Sequence, residues 1–555
     1  MPASTTAAAP VGSAAAADGG LHSLDWLVLG AYLALLLITA LRVRSRATDA
    51  NAYFVGERNM PAWAVSLSVL ATAFSAASFI GGPAQSFAGD LTYVSANLGA
   101  LLAVVVVAVY FIPAFYRYQV VTVYELIARR FGQPAAMAAS WTFLIGRVLA
   151  NGARLFIAAM PLAMLFAGER VAGERTDFSD NQLQLAILAL AAIGTVYALV
   201  GGISSVIWTE AVQMVVLVGA ALTALVLLLV RIPLSLPALA TWLGGTRVGH
   251  DHGGVGHSKL TMFSTSLEPG ETFTLFTAVS GWLLLNLAAY GTDQDLAQRM
   301  LTCRNALSGG RSALGAIIAG IPVQLLFLAI GLLLCVFYTH PEVMGPLPYA
   351  VPDEDHAFLT FILHEMPIGV RGLMLSALFA VSFTSLLSAL NAMAATFVND
   401  CYRPLMRQAD SARDLRVGRT AVVLWGAVLA GFACFCVTWR HSNHESLLNF
   451  ALGVMSFAYA GLLAVFLTAL FTRRGTGASA IAALLTGLVV VTVLQPAVWH
   501  ALSGYEQKLA APWRLVVGTA LAFLVCQAGQ PAGLPPEALG VPAAVPPRPR
   551  QAAAP

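Results

Sequence analysis

The sequence predicts an all-α bundle embedded in a membrane, and three observations carry that expectation. The first is composition: 58% of the residues are hydrophobic and only 10% are charged, where a soluble domain carries about 25% charged residues. The second is length, because apolar stretches recur between short polar turns and most reach the roughly 20 residues that cross a bilayer. The third is the placing of the arginines. Alternate loops collect 19 of them, from Arg42 to Arg550, and an excess of that kind sits on the cytoplasmic side of a membrane protein.

Taken in order, residues 1–24 are an Ala-rich tail without periodicity, expected to be disordered and outside. The apolar run 25–41 is preceded by Asp18 and Asp25 and followed by Arg42, Arg44 and Arg46. That is the reverse of a signal peptide, so the run reads as a retained helix with its N-terminus outside. Further spans lie near 62–87, 92–115, 134–166, 182–200, 206–231, 271–291, 311–337, 366–398, 418–439, 447–471, 477–499 and 513–528, for thirteen helices in one transmembrane domain, 25–530. The Pro/Ala-rich tail 531–555 then lies in the cytoplasm, far too short for a fused kinase domain. The expected location is the plasma (inner) membrane, spanned many times.

None of the six cysteines falls in an outer segment, so no disulfide framework is expected. All ten histidines are placed outside, which leaves none for a proton relay within the membrane. The loop HDHGGVGH holds His250, His252 and His257, but its Gly-rich spacing defines no frame for a metal.

Polar groups inside apolar spans are the informative exceptions. The stretch 376–404 carries Ser376, Ser382, Thr384, Ser385, Ser388 and Asn391 before ending in Asp400 and Arg403. Thr384 and Ser385 lie about a turn beyond Val381, whose carbonyl is partly freed if hydroxyls compete for backbone bonds. Two hydroxyls and a carbonyl are hard, neutral ligands for an alkali cation; the alternative is that these small residues only let helices pack and hydrogen-bond. In the helix from Pro61, Ala71 and Phe74 precede the small and hydroxyl residues Ser75 and Ser78, and Gly81, Gly82 and Pro83 weaken it further on. A helix broken there lines a cavity with free carbonyls, or else merely kinks. Asn286 and Tyr290 share a helix face, placed to bond a ligand or each other.

Five stretches, ATAFSAASFIG, TVYELIARRFG (122–132), VGGISSVIWTEAVQ (200–213), GTDQDLAQR (291–299) and FTSLLSALNAMAATFVNDCYR, together resemble the sodium:solute symporter family over about residues 25–475. The resemblance implies a LeuT-type fold, two inverted repeats of five helices at 62–231 and 271–471. It implies a sodium site at Ala71, Phe74, Val381, Thr384 and Ser385, with Na+ as the only metal. Sugar-transporting relatives carry Gln where Ser78 stands and Tyr where Ala289 stands, which turns the expectation from sugars toward the branch carrying monocarboxylates, vitamins, iodide and sialic acid.

Arg147, Asn151 and Arg154 share one helix face. A buried arginine costs at least a few kcal/mol and is usually paired or functional. Glu210 is the one carboxylate read as deep within a span, so at most one of the two arginines has an evident partner. The other is then available to a carboxylate, unless it pairs with helix-end carbonyls or reaches an interface. The expected solute-facing set is Ser75, Ser78, Arg147, Asn151, Arg154, Asn286 and Tyr290. Glu210, with Ser388, is expected on the sodium exit route, with a second sodium site or a salt bridge to a buried arginine as alternatives.

The expected function is sodium-coupled import of a small organic solute, a carboxylate or other organic anion, by alternating access. A sugar or other neutral solute is the alternative. From other classes, a membrane-embedded enzyme would need acid/base residues converging on a cleft, and a sensor would need a signalling domain. Expected partners are sodium, the solute and the lipid bilayer, with no nucleic acid.

Overall fold

The computed structural model describes residues 21–42, 56, 58–167, 179–200, 203–248, 256–347, 351–406, 411–440, 447–506 and 509–529. The N-terminal tail to residue 20, the C-terminal tail from 530 and the histidine positions 250 and 252 lie outside them. The described residues are almost entirely helical; the one pair of strands is the hairpin β1 (Arg247–Val248) and β2 (His257–Ser258).

The longer helices are α1 (Ser23–Arg42), α2 (Ala62–Ala73), α3 (Ala76–Ala88), α4 (Thr92–Tyr118), α5 (Tyr124–Phe131), α6 (Gln133–Ala167), α7 (Asp180–Val200), α8 (Ile203–Arg231) and α9 (Leu236–Gly245). They continue as α10 (Leu275–Gly291), α11 (Gln294–Leu301), α12 (Ala306–Thr339), α13 (Glu354–Glu365), α14 (Val370–Thr396) and α15 (Ser411–Arg440). The chain closes with α16 (Leu447–Phe471), α17 (Gly477–Val493), α18 (Pro496–Ser503) and α19 (Ala511–Gln527). By length and composition seven described helices can cross a membrane, or nine if each of two bent pairs is one span. Four shorter apolar helices lie at Ser23–Thr39, Ser456–Phe471, Gly477–Val493 and Ala511–Gln527. The expected span 477–499 stops at Val493, because Pro496 opens a separate short helix.

α14 is the interior axis: 94% of its most apolar window is buried, against 39% for α8. Its Ala, Gly and Ser residues let α1, α2, α6, α7, α8 and α15 pack on it. Asp25 of α1 is wholly buried there and accepts from the Gly369 and Gly372 amides at 2.7 and 2.9 Å, which caps the start of α14. Several hydroxyls close on their own helix. Ser376, Ser382 and Thr384 donate to the carbonyls of Gly372, Leu378 and Ala380 at 2.7–2.8 Å. The carbonyl that Thr384 contests is therefore that of Ala380, four residues before it.

The largest departure from expectation is at 291–299. A loop carrying Arg299 to the cytoplasm was expected after a span ending at 291; instead α11 forms, with each of its eight residues buried. Its charges enter the bundle because they find partners there.

Candidate functional site between two helix breaks

The first helix of each expected repeat is broken. Between α2 and α3 the axis turns by 61°, and between α10 and α11 by 56°. At the first break Phe74 (φ −87°, ψ 113°) and Ser75 (φ −114°, ψ 173°) are extended, and Ser75 caps α3 without using its side chain. A helix end leaves its last carbonyls without intrahelical partners. Ala71 lies in that last turn and Phe74 in the break itself, and α2 rests on α14, which carries Thr384 and Ser385. At the second break the Asp293 side chain caps α11, accepting from the Asp295 amide at 2.9 Å.

Both breaks border one cavity of about 180 Å³. Six of the seven residues expected to face solute line it: Ser75, Ser78, Arg147, Arg154, Asn286 and Tyr290. Asn151 does not; with Arg154, Ser382 and Ser385 it lines a void of about 10 Å³. Both amide atoms of Asn151 and the Ser385 hydroxyl are buried there without a hydrogen-bond partner. Thr384 Oγ1 lies 2.5 Å from Gln213 Oε1 and 2.8 Å from the Ala380 carbonyl, and its single proton points to one or shares itself between the two, so the oxygen keeps lone pairs for a further contact. One of the two Asn286 amide donors is spent on the Trp282 carbonyl at 2.8 Å.

Two lining residues were missed from the sequence. Asn97 on α4 donates to Gln324 Oε1 on α12 at 2.7 Å and to the Val94 carbonyl at 3.2 Å, and Gln324 donates to the Tyr93 carbonyl at 3.1 Å. Their signal was present: each is a lone amide within an apolar span.

Beneath the cavity lies a buried charge network, and it corrects two expectations. Arg147 is not awaiting a ligand. Its Nη2 meets Asp293 Oδ1 at 2.5 Å and Asp295 Oδ2 at 3.2 Å, and the Tyr459 hydroxyl donates to Asp293 Oδ2 at 2.6 Å. Glu210 is not an open waypoint either. Arg299 Nη2 reaches Glu210 Oε1 at 2.7 Å and Ser388 Oγ at 2.6 Å, while Nη1 meets Asp295 Oδ1 at 2.7 Å. Ser68 donates to Glu210 and Ser388 to Asp295. The guanidinium of Arg299 thus fills the place between Glu210 and Ser388 where a second sodium was entertained, and the buried salt bridge is the alternative that holds. The sequence hides this network because Asp293, Asp295 and Arg299 follow an apolar run and read as a loop, which leaves Glu210 as the one deep carboxylate.

The network joins two guanidiniums to three carboxylates; with Arg154, which shares the cavity, the tally is three against three. Among the described residues, these protein charges around the cavity are balanced before any cargo enters.

A neutral cavity between two broken helices suits a carrier, and residues 53–487 match the sodium:solute symporter family. The chain belongs to that family. Among its relatives, the sodium/sialic acid symporter NanT of Aliivibrio fischeri is 26% identical over 84% of this chain and 87% of its own length. The sodium/sialic acid symporter SiaT of Proteus mirabilis is 24% identical, covering 84% of this chain and 88% of its own. The structure of a Na+-coupled sialic acid symporter in a substrate-bound outward-open state matches with a TM-score of 0.74 at 21% identity, over 91% of this chain and 97% of that one. The fold is the LeuT-type fold, and the protein is a sodium-coupled symporter and a multi-pass membrane protein.

Proposed function

We propose that this symporter carries a small organic carboxylate into the cell together with one sodium ion. The observation that carries this reading is the cavity itself: it joins the two breaks, and Arg147 and Arg154 are its cationic lining. Arg154 lines the cavity, and its planar fork is the shape that suits a carboxylate. Ser75, Ser78, Asn97, Asn286 and Gln324 supply hydrogen bonds to the rest of the solute. The sialic acid carried by the two bacterial relatives is an anion of this class.

Sodium is assigned to the carbonyls of Ala71, Phe74 and Val381 with the hydroxyls of Thr384 and Ser385. The charge balance supports one ion: a sodium and a monoanion entering together leave the site neutral, whereas a second cation near Glu210 would meet Arg299. Such a cycle moves no net charge and takes nothing from the membrane potential, worth about 2.3 kcal/mol per charge per 100 mV. The arginine-rich loops orient the C-terminal end toward the cytoplasm and the N-terminus outside, in the plasma (inner) membrane.

The test is uptake by proteoliposomes of sialic acid, its uncharged amide and glucose, with sodium or potassium outside. Sodium-driven uptake of the acid alone, insensitive to an imposed potential and lost in Arg154→Met, is the expected result. Equal uptake of the amide, or of glucose in preference to the acid, refutes the carboxylate reading.

A further inference from the structure

At the arginine-rich end of α14 a carboxyl with no part in the transport site is walled in. Asp400 lies in the π-helical turn Phe397–Tyr402 that follows α14 and is 3% exposed. Its Oδ1 accepts from the Thr122 hydroxyl at 2.6 Å, and the Ser140 hydroxyl of α6 is its other polar neighbour. Neither Asp400 Oδ2 nor Ser140 Oγ, both buried, completes a hydrogen bond with another protein group.

The charged and titratable groups around it are otherwise engaged. Glu125 of α5, a second negative group nearby, accepts from the amides of Val121 and Thr122 at 3.1 and 3.4 Å. Tyr124 of α5 donates to the Thr292 carbonyl. Arg403, just after the turn, is directed to Asp414 of α15 at 2.7 Å and to Asn399 at 2.5 Å. Cys401 is the neighbour on its own turn. α6 presents Ser140 and Gln133, the latter donating to the Asp400 carbonyl at 3.3 Å. Among the described residues no basic side chain pairs with Asp400.

A bare carboxylate is heavily penalised in such a place, whereas the acid removes the charge and supplies an O–H that the Ser140 oxygen can accept. A metal ion would need several more oxygens and room of its own, and none of the cavities described above includes Asp400. We propose that Asp400 holds a proton while this end of the bundle is closed and releases it when the end opens, making the opening sensitive to pH at the arginine-rich face. On opening, the acid O–H bond breaks, the proton passes to entering water, and the carboxylate left behind is hydrated rather than buried.

Two measurements on the purified full chain in sodium test this without any solute. Infrared difference spectroscopy of wild type against Asp400→Asn at neutral pH is expected to show a carboxylic acid C=O band that shifts in D2O and is missing from the variant. The absence of that difference overturns the proposal. The second measurement uses Cys401, 3% exposed beside Asp400, whose alkylation by a small thiol reagent reports opening. From pH 6 to pH 8.5 the rate, normalised to Asp400→Asn to remove the thiol's own titration, is expected to rise about fivefold or more. A flat normalised rate overturns the proposal. Thr122→Val keeps the acid but removes the hydroxyl that stabilises its anion, so the midpoint is expected to move up by about one pH unit. An unmoved midpoint counts against the proposal even if Asp400→Asn fails to fold.

Discussion

The breaks in α2–α3 and α10–α11 occupy corresponding places in the two repeats and turn the chain by similar angles, 61° and 56°, yet their chemistry is opposite. The first is neutral: Phe74 and Ser75 are extended, and no side chain caps the restart of the helix. The second is charged and closed, with Asp293 capping α11 while held by Arg147 and Tyr459. A break with free carbonyls can gain and lose a monovalent ion at modest cost. One whose charges are compensated by covalently attached partners has no vacancy to exchange. On the proposed reading, the neutral break supplies the exchangeable site and the charged one the rigid wall against which it works.

The largest effect expected from this contrast comes from unbalancing the charged side. Arg299→Met leaves Glu210 buried without its cation and Asp295 with Arg147 alone, and removing one partner of a buried pair costs about 3–5 kcal/mol. Thermal unfolding in detergent should show a severe loss, partly recovered by Glu210→Gln in the same chain. A mild loss in Arg299→Met would mean that the network is hydrated and not the wall described here.

An intermediate effect is expected at the cavity. Asn97→Ala removes the amide that holds Gln324 in place, and a lost hydrogen bond of this kind is worth about 1 kcal/mol. Solute affinity measured by titration calorimetry should fall about fivefold with sodium affinity unchanged. A parallel loss of sodium affinity would place Asn97 at the ion instead.

The smallest effect concerns the far end of the neutral break. Lys259 is buried, donating to the carbonyls of Ser86, Phe87 and Gly89 at 3.1, 2.8 and 2.8 Å, and so caps the C-terminus of α3. His257, beside it on β2, pairs with Asp90. Lys259→Met should cost about 1 kcal/mol of thermal stability. It should also raise hydrogen exchange at the end of α3, leaving α11 unchanged; equal exchange changes in both half-helices would show that they are coupled.

The neutral break was legible in the sequence and the charged one was not. Gly81, Gly82, Pro83 and the hydroxyls after Phe74 weaken a helix visibly, and Asn286, Tyr290, Arg147 and Arg154 stand out against apolar spans. Asp293, Asp295 and Arg299 carry the opposite signal, since a charged octapeptide after an apolar run reads as a loop. Only partners more than 80 residues away, Glu210 and Arg147, make it cheaper to bury. Asn97 and Gln324 were readable as isolated amides, but their convergence depends on how α4 packs on α12. Glu210 could be seen to be deep without its occupant being visible, because local spacing says nothing about which arginine arrives from another repeat.

Whether sodium belongs to the neutral break is decided by sodium titration of the purified protein, followed by thermal stabilisation. Wild type should bind with a Hill coefficient near one. The double variant Thr384→Ala/Ser385→Ala should need about tenfold more sodium, while Glu210→Gln, even if less stable at the start, should respond over the wild-type range. A Hill coefficient near two that falls to one in Glu210→Gln, with Thr384→Ala/Ser385→Ala unaffected, would contradict the account and move the ion to the charged side.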